Sequence, residues 1–198
     1  RTYIDIGDMI PDTAANWRKQ RLKRYRKAEH YARAAVEANP KSTWPHFFLA
    51  VALGQVAEFS GIKKQIALAS EIRSATDMAL NLDPNNGFAY HVLGVWHRRM
   101  AEINKTERLL AQLFLLGSVP AGRLSDSVRY LKQALEHNPD IINHHLELAK
   151  TYQTLGKRDL ARQHLKTVAE LPIRFSDDKI NKRKAKQLLR DISESSGG

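Results

Sequence analysis

Ala79-Leu80-Asn81-Leu82-Asp83-Pro84 is the stretch that decides the fold, because the chain writes it repeatedly. Ala35-Val36-Glu37-Ala38-Asn39-Pro40 and Ala134-Leu135-Glu136-His137-Asn138-Pro139 have the same form, and Val168-Ala169-Glu170-Leu171-Pro172 is a shortened copy. Each reads as the last turn of a helix stopped by proline, which biases the residue before it away from helical geometry. The alanine five residues before the proline permits close approach of a second helix. A helix ending that recurs in this way predicts antiparallel helix pairs stacked along one axis.

Counting outward from the prolines places the remaining positions. In the last unit Leu148 and Ala149 stand at positions 7 and 8, Tyr152 at 11, Gly156 at 15 and Ala161 at 20. Leu93 and Gly94 fill positions 7 and 8 of the unit before it, and Leu49 and Ala50 those of the unit before that. The small residue at position 8 lets the two helices of a pair pack tightly. This pattern resembles the 34-residue tetratricopeptide repeat, or TPR. The spacing is irregular: 44 residues separate Pro40 from Pro84 and 55 separate Pro84 from Pro139. Those intervals exceed the repeat by 10 and 21 residues. The excess falls around residues 57–72 and 98–125. Both segments lack helix breakers over most of their length, so they are expected to lengthen helices. Gly117 and Pro120-Ala121-Gly122 mark the one long turn.

The expected architecture is therefore all-α, a TPR-like α-solenoid of antiparallel helix pairs with about 3.5 repeats, lengthened helices and a C-terminal capping helix. Residues 1–192 form one domain, made of a partial first repeat (1–40), a lengthened second (41–84), a lengthened third (85–139), a fourth (140–172) and a capping helix (178–192). Residues 193–198 are a tail. Pro11-Asp12-Thr13 reads as a stop and a helix start, so residues 1–10 are expected to end a helix that begins upstream, with a long helix over about 15–38. Ile180, Ala185, Leu188, Leu189 and Ile192 form the apolar stripe of the cap.

Composition narrows the chemistry. With no cysteine, thiol catalysis, cysteine-based zinc sites and disulfides are excluded. The longest near-apolar run, 109–116, is far short of the roughly 20 residues that cross a membrane. The first residue is Arg, so a signal or anchor is expected, if anywhere, in a segment before it. No compartment is specified; a soluble, cytoplasmic setting is favoured. The net charge of +11 favours acidic partners.

Gly61-Ile62-Lys63-Lys64-Gln65-Ile66-Ala67, His91-Val92-Leu93-Gly94-Val95-Trp96 with Ala101-Glu102, and the apolar insertion ending at Pro120 together resemble the regulator of microtubule dynamics family. The resemblance spans residues 28–189 and includes the order and spacing of both insertions. It implies a non-catalytic TPR adaptor, microtubule-associated or working at membrane surfaces. The chain departs from it in the more basic segment before Ala28.

Candidate binding residues follow from the repeat positions that face a TPR concave surface. They grade from Trp44, Phe47 and Phe88 through His91 to Arg98, Arg99, Leu146 and Lys150, a groove suited to an apolar ligand with an acidic group. The alternative is that the cap or the insertions fill it. The Lys/Asn pair that would grip a chaperone's C-terminal carboxylate is missing at positions 5 and 9. A basic patch is expected from Arg18, Lys19, Arg21, Lys23 and Arg24, continuing through Arg26 and Lys27. A second is expected from Lys182, Arg183 and Lys186 with their basic neighbours. The alternative for both is a solvated helix face. No nucleic-acid-binding signature accompanies them, so nucleic acid is not the expected partner. The eight histidines contain no His-x-x-x-His pair, and His144 and His145 point about 100° apart on a helix. Neither a metal site nor any cofactor is expected, and no nucleophile or acid–base motif is present. Trp96 is expected to pack against an inserted helix. The function these residues suggest is a protein-interaction scaffold for a protein or peptide partner of acidic character. The alternative is a peripheral lipid-binding or membrane-contact module using 109–116 and the aromatic end of the groove, with anionic lipid as ligand.

Overall fold

The computed structural model describes residues 2–109 and 119–194, and among these there is helix and turn but no strand. The helices are α1 (Thr2–Asp8), α2 (Trp17–Ala38), α3 (Thr43–Glu58), α4 (Ile62–Leu82), α5 (Gly87–Glu102), α6 (Leu124–His137), α7 (Ile142–Thr154), α8 (Arg158–Glu170) and α9 (Asp178–Glu194). Each packs on the next in chain order. Beyond these sequential pairs, α3 meets α5, α5 meets α7 and α7 meets α9. The first helices of successive pairs therefore lie side by side, which is the α-solenoid.

The repeated ending has a repeated geometry. Asn39, Asp83 and Asn138 each stand one residue before a proline with φ of −145°, −144° and −139°. Each gives its amide hydrogen to the alanine four residues back, at 2.9–3.0 Å. Pro-induced extension then turns the chain into the next helix. The turn from α7 to α8 uses Gly156 at φ +71° instead. Gly156 N–H donates to Gln153 O and Lys157 N–H to Tyr152 O, closing a Schellman cap. Position 8 shows why it must be small: a Cβ on Gly94 would meet Leu131 Cγ at 2.5 Å.

The two excess segments behave differently. The first lengthens α4 to 21 residues. Its extra turns supply Leu68, Ala69 and Ile72 to an N-terminal core with Leu53, Val56, Trp96 and Met100. Trp96 packs there, its indole N–H donating to Ala69 O at 2.8 Å. The second does not extend α5, which ends at Glu102. Asn104 Oδ1 accepts from Glu107 N–H at 2.8 Å, and a Glu107 carboxylate oxygen accepts from Asn104 N–H at 3.2 Å. This reciprocal capping box starts a new helical stretch at Lys105, where the sequence reading expected continuation. The apolar run 109–116 lies, apart from Leu109, outside the described residues, as does Gly117. Where the chain returns, Arg108 donates to Val119 O, Pro120 O and Met100 O, tying the base of the insertion to α5.

The other core joins Leu131, Ile142, Leu148, Leu165 and Val168 to Ala185 and Ile192 of α9. The cap thus closes the open end of the stack, reaching Glu194; residues 195–198 of the expected tail lie outside the described residues. At the other end α2 begins at Trp17, close to the expected start at about 15, and its N-cap is Asn16 rather than Thr13. Asn16 takes a left-handed φ of 52°, which its short polar side chain tolerates, so the chain makes another turn before α2.

Candidate functional site

Curvature of the stack brings α1 and the segment before α9 across the concave face. Ser176 Oγ donates to an Asp5 carboxylate oxygen at 3.2 Å, a contact between chain ends. The groove becomes a partly covered cavity of ≈ 410 Å³. Its aromatic wall runs from Trp44 to Phe47 and Phe48, and on through Phe88 to Phe175, with ring centroids 5.1–6.4 Å apart along the series. Trp44 remains 47% exposed at the lip. The wall is half predicted: Trp44, Phe47, Phe88, His91 and Arg99 line the cavity. Phe48 and Phe175 were not among the candidate residues.

The basic end of the groove differs from expectation. Arg98 is 6% exposed and is held by Glu147 of α7 and by Glu102. Lys150 also pairs with Glu147. Burial alone would raise the Glu147 carboxyl, but Lys150 and Arg98 together hold it well below the usual range. Arg98 is thus engaged in joining α5 to α7, and Lys150 shares Glu147 with it from within α7. Leu146 is fully buried in the C-terminal core, not in the groove. Its neighbour Glu147 turns to the cavity instead, because Ile142, Leu146 and Ala149 share the stripe that faces the core.

Among the charged residues lining the cavity, carboxylates predominate. Asp8, Glu58, Glu147 and Asp177 line it, and Arg99, paired with Glu58 at 3.5 Å, is the only Lys or Arg among the described lining residues. Burial pushes the Asp8 carboxyl up to about 6, against a hydrogen bond from Tyr25 Oη at 2.8 Å, and the nearby Asp177 and Asp5 add to the rise. Asp177 is likewise pushed up, chiefly by burial.

The histidines fill packing roles of a definite kind. His46 and His145, each six residues past a repeat-ending proline, meet the Pro40 and Pro139 carbonyls at 2.8 Å. His144 Nδ1 stands 3.0 Å from His91 Nδ1, linking α7 to α5, and His145 Nδ1 stands 2.9 Å from His164 Nδ1, linking α7 to α8. Burial lowers His91 to about 4 and His144 to about 2, so both are neutral near pH 7. Among the described residues no three His, Cys, Asp or Glu side chains cluster as a metal site. No described helix is long and apolar enough to cross a membrane.

The basic residues divide. Arg21 is spent on structure: it donates to Ile10 O, pairs with Asp12 at 2.9 Å and lies 4.7 Å from the Trp17 ring. Lys182 donates to Ala169 O at the end of α8. Arg18, Lys19 and Lys23 are exposed on α2, with Arg24 half-buried beside them; Arg183 and Lys186 are exposed on α9. Among the described residues none of these six makes an ion pair.

Comparison with known proteins agrees with this architecture. A family described as "Regulator of microtubule dynamics protein 1-3" matches residues 1–193. The chain is 30% identical over 168 residues to regulator of microtubule dynamics protein 1 of Bos taurus and to that of Homo sapiens, covering 84% of this chain and 53% of each relative. It is 27% identical over 180 residues to protein 3 of Mus musculus, covering 90% of this chain and 37% of that protein. The chain thus spans about half the length, or less, of the curated relatives it matches. A thermophilic TPR protein of Thermus thermophilus shares the fold with a TM-score of 0.61 at 20% identity, covering 99% of this chain and 82% of that one. With its helix pairs, its irregular spacing and this match over nearly the whole length, the chain belongs to the regulator of microtubule dynamics protein 1–3 family.

Proposed function

We propose that the chain is a non-catalytic TPR scaffold that holds an acidic protein segment on its basic helix faces. The observation that carries the reading is the division of charge. The chain has a net charge of +11, yet carboxylates predominate among the charged residues lining its concave cavity, so the positive charge stands outside. Lys19 and Lys23 on α2 and Arg183 and Lys186 on α9 are exposed and, among the described residues, make no ion pair, which leaves them available to carboxylates of another molecule. This narrows the acidic partner's site from the groove and basic faces together, as the sequence had it, to the outer faces. The relatives' name, regulator of microtubule dynamics, supports microtubules as the first place to seek such a partner.

Co-sedimentation with microtubules and titration with a polyglutamate peptide test the proposal. Lys19→Glu/Lys23→Glu on α2 is expected to weaken both by about tenfold or more, and added salt to weaken the parent chain's binding steeply. Binding that ignores both changes overturns it. A peripheral lipid-binding role has one observation in its favour, the aromatic cavity of ≈ 410 Å³. Phospholipid found by mass spectrometry in the purified protein would support that reading, with the acyl chains inside.

A further inference from the structure

The inside of the solenoid has a chemistry that the outside lacks. Asp8 and Asp177 face the cavity, and neither makes an ion pair among the described residues. Asp8 accepts from Tyr25 Oη and Asp177 from Asn181 Nδ2, both neutral donors, while Arg21 and Lys184 act on them without forming an ion pair. Asp8 also stands in the field of Asp177. The neighbouring acids are already committed: Glu58 to Arg99, and Glu147 to Arg98 and Lys150.

Two further features are independent of the carboxylates. Trp44, Phe48 and Phe88 line the cavity with no basic side chain of the described residues over their rings, although Trp17, Tyr3, Trp96 and Tyr130 elsewhere each carry one. His144, 1% exposed and lining the same cavity, has a buried Nε2 with no hydrogen-bond partner. In the tautomer whose Nδ1 donates to His91, that Nε2 carries a lone pair for a ligand N–H; in the other it carries the hydrogen. Aromatic rings attract cations, carboxylates bind ammonium or guanidinium groups, and a buried polar atom without a partner is a costly group that a ligand can satisfy.

These three features call for one complement, an apolar body with a positive group. We propose that the concave cavity binds a peptide segment in which lysine or arginine stands between apolar residues, its cation directed to Asp8 and Asp177 and its apolar side chains to the Trp44–Phe88 wall. The cavity volume of ≈ 410 Å³ admits a few side chains and not a folded domain. An anionic headgroup or acidic peptide would meet the same carboxylates with the wrong sign. The protein then has two surfaces of opposite preference, an outer one for acidic segments and an inner one for basic ones. The second does not depend on the first.

Isothermal titration with a short peptide of alternating leucine and lysine tests the inner surface, with the leucine–glutamate peptide as counterpart. Asp8→Asn/Asp177→Asn is expected to weaken the lysine peptide by about tenfold or more, the scale of a lost charge-assisted hydrogen bond. Trp44→Ala, at an exposed position that no core depends on, is expected to weaken it severalfold. Lys19→Glu/Lys23→Glu is expected to leave it unchanged or tighter while weakening glutamate-peptide binding by about tenfold or more, which separates the two surfaces. Two results overturn the inference. One is lysine-peptide binding unaffected by both the aspartate and the Trp44 variants; circular dichroism of those variants checks that they are folded. The other is a phospholipid that co-purifies in the cavity and that the lysine peptide does not displace.

Discussion

Gly94 shows how much a single position can carry. Its missing Cβ is the space that Leu131 occupies, so α6 approaches α5 more closely than any side chain would allow. Gly94→Ala is expected to destabilise the protein by about 1–2 kcal/mol in urea denaturation, because overpacking outweighs the gain in helix propensity. Gly54, in α3, has nothing within 4 Å of where a Cβ would be. Gly54→Ala is therefore expected to stabilise by up to about 1 kcal/mol. Equal responses at the two glycines would show that close approach is not what Gly94 provides. Position counting from the repeat endings reached Gly94 and the small residues Ala50 and Ala149, since a helix pair imposes the same steric demand in each unit. It could not reach Leu146 correctly, because repeat position 5 faces the groove only where the next helix does not cover it, and here Leu146 is fully buried.

Between elements, the join of α5 to α7 rests on charge as well as on packing. Arg98 and Glu147 are both nearly buried, and each helix supplies one of them. Removing one partner of such a pair leaves a desolvated charge, whereas replacing both with apolar residues of similar volume does not. Glu147→Ala is accordingly expected to cost about 3 kcal/mol, and Arg98→Met/Glu147→Leu much less. Guanidinium titration of the three proteins decides it, and a double variant as damaged as the single one would contradict the account. The signal for this pair was present in the sequence as a lone carboxylate between Leu146 and Leu148. It could not be read there, because its partner lies 49 residues away. The capping box of Asn104 and Glu107 was a local signal and was legible in principle; passed over, it left α5 too long.

For the molecule as a whole, buried titratable groups set the response to acid. His91 and His164 are lowered to about 4 and His144 to about 2, all chiefly by burial, against an ordinary value of 6.5. As pH falls below about 6.5 the unfolded chain takes up protons that the folded one refuses, so stability falls. Asp8 acts in the opposite sense: with its folded value near 6, it favours the fold more as pH falls from 6 towards 3.8. Asp177, also raised, adds to this. The histidines outnumber the carboxylates, and a net loss of about 2–3 kcal/mol is expected between about pH 7 and pH 5. Calorimetry should show this as a fall in Tm of roughly 5–10 °C. Asp8→Asn, which keeps an acceptor for Tyr25 Oη, is expected to be more stable than the parent at neutral pH, with the gap narrowing towards pH 5. A Tm independent of pH over this range would mean that the histidines are not buried as described.

The helix pairs and the direction in which they stack were legible from one chain, because both depend on local rules repeated at a period, and the family was legible by resemblance of the irregular segments. Proline ends a helix wherever it stands, and a small residue admits a neighbour wherever two helices cross. The character of the inner surface was not legible in that way. Curvature brings Asp5 and Asp8 of α1 to within reach of Ser176 and Asp177, more than 160 residues along the chain, and burial gives those carboxylates their charge behaviour. Neither proximity across a solenoid nor desolvation is a property of residue spacing. The groove expected to grade from aromatic to basic is for that reason aromatic and acidic, with the basic charge left on the outside.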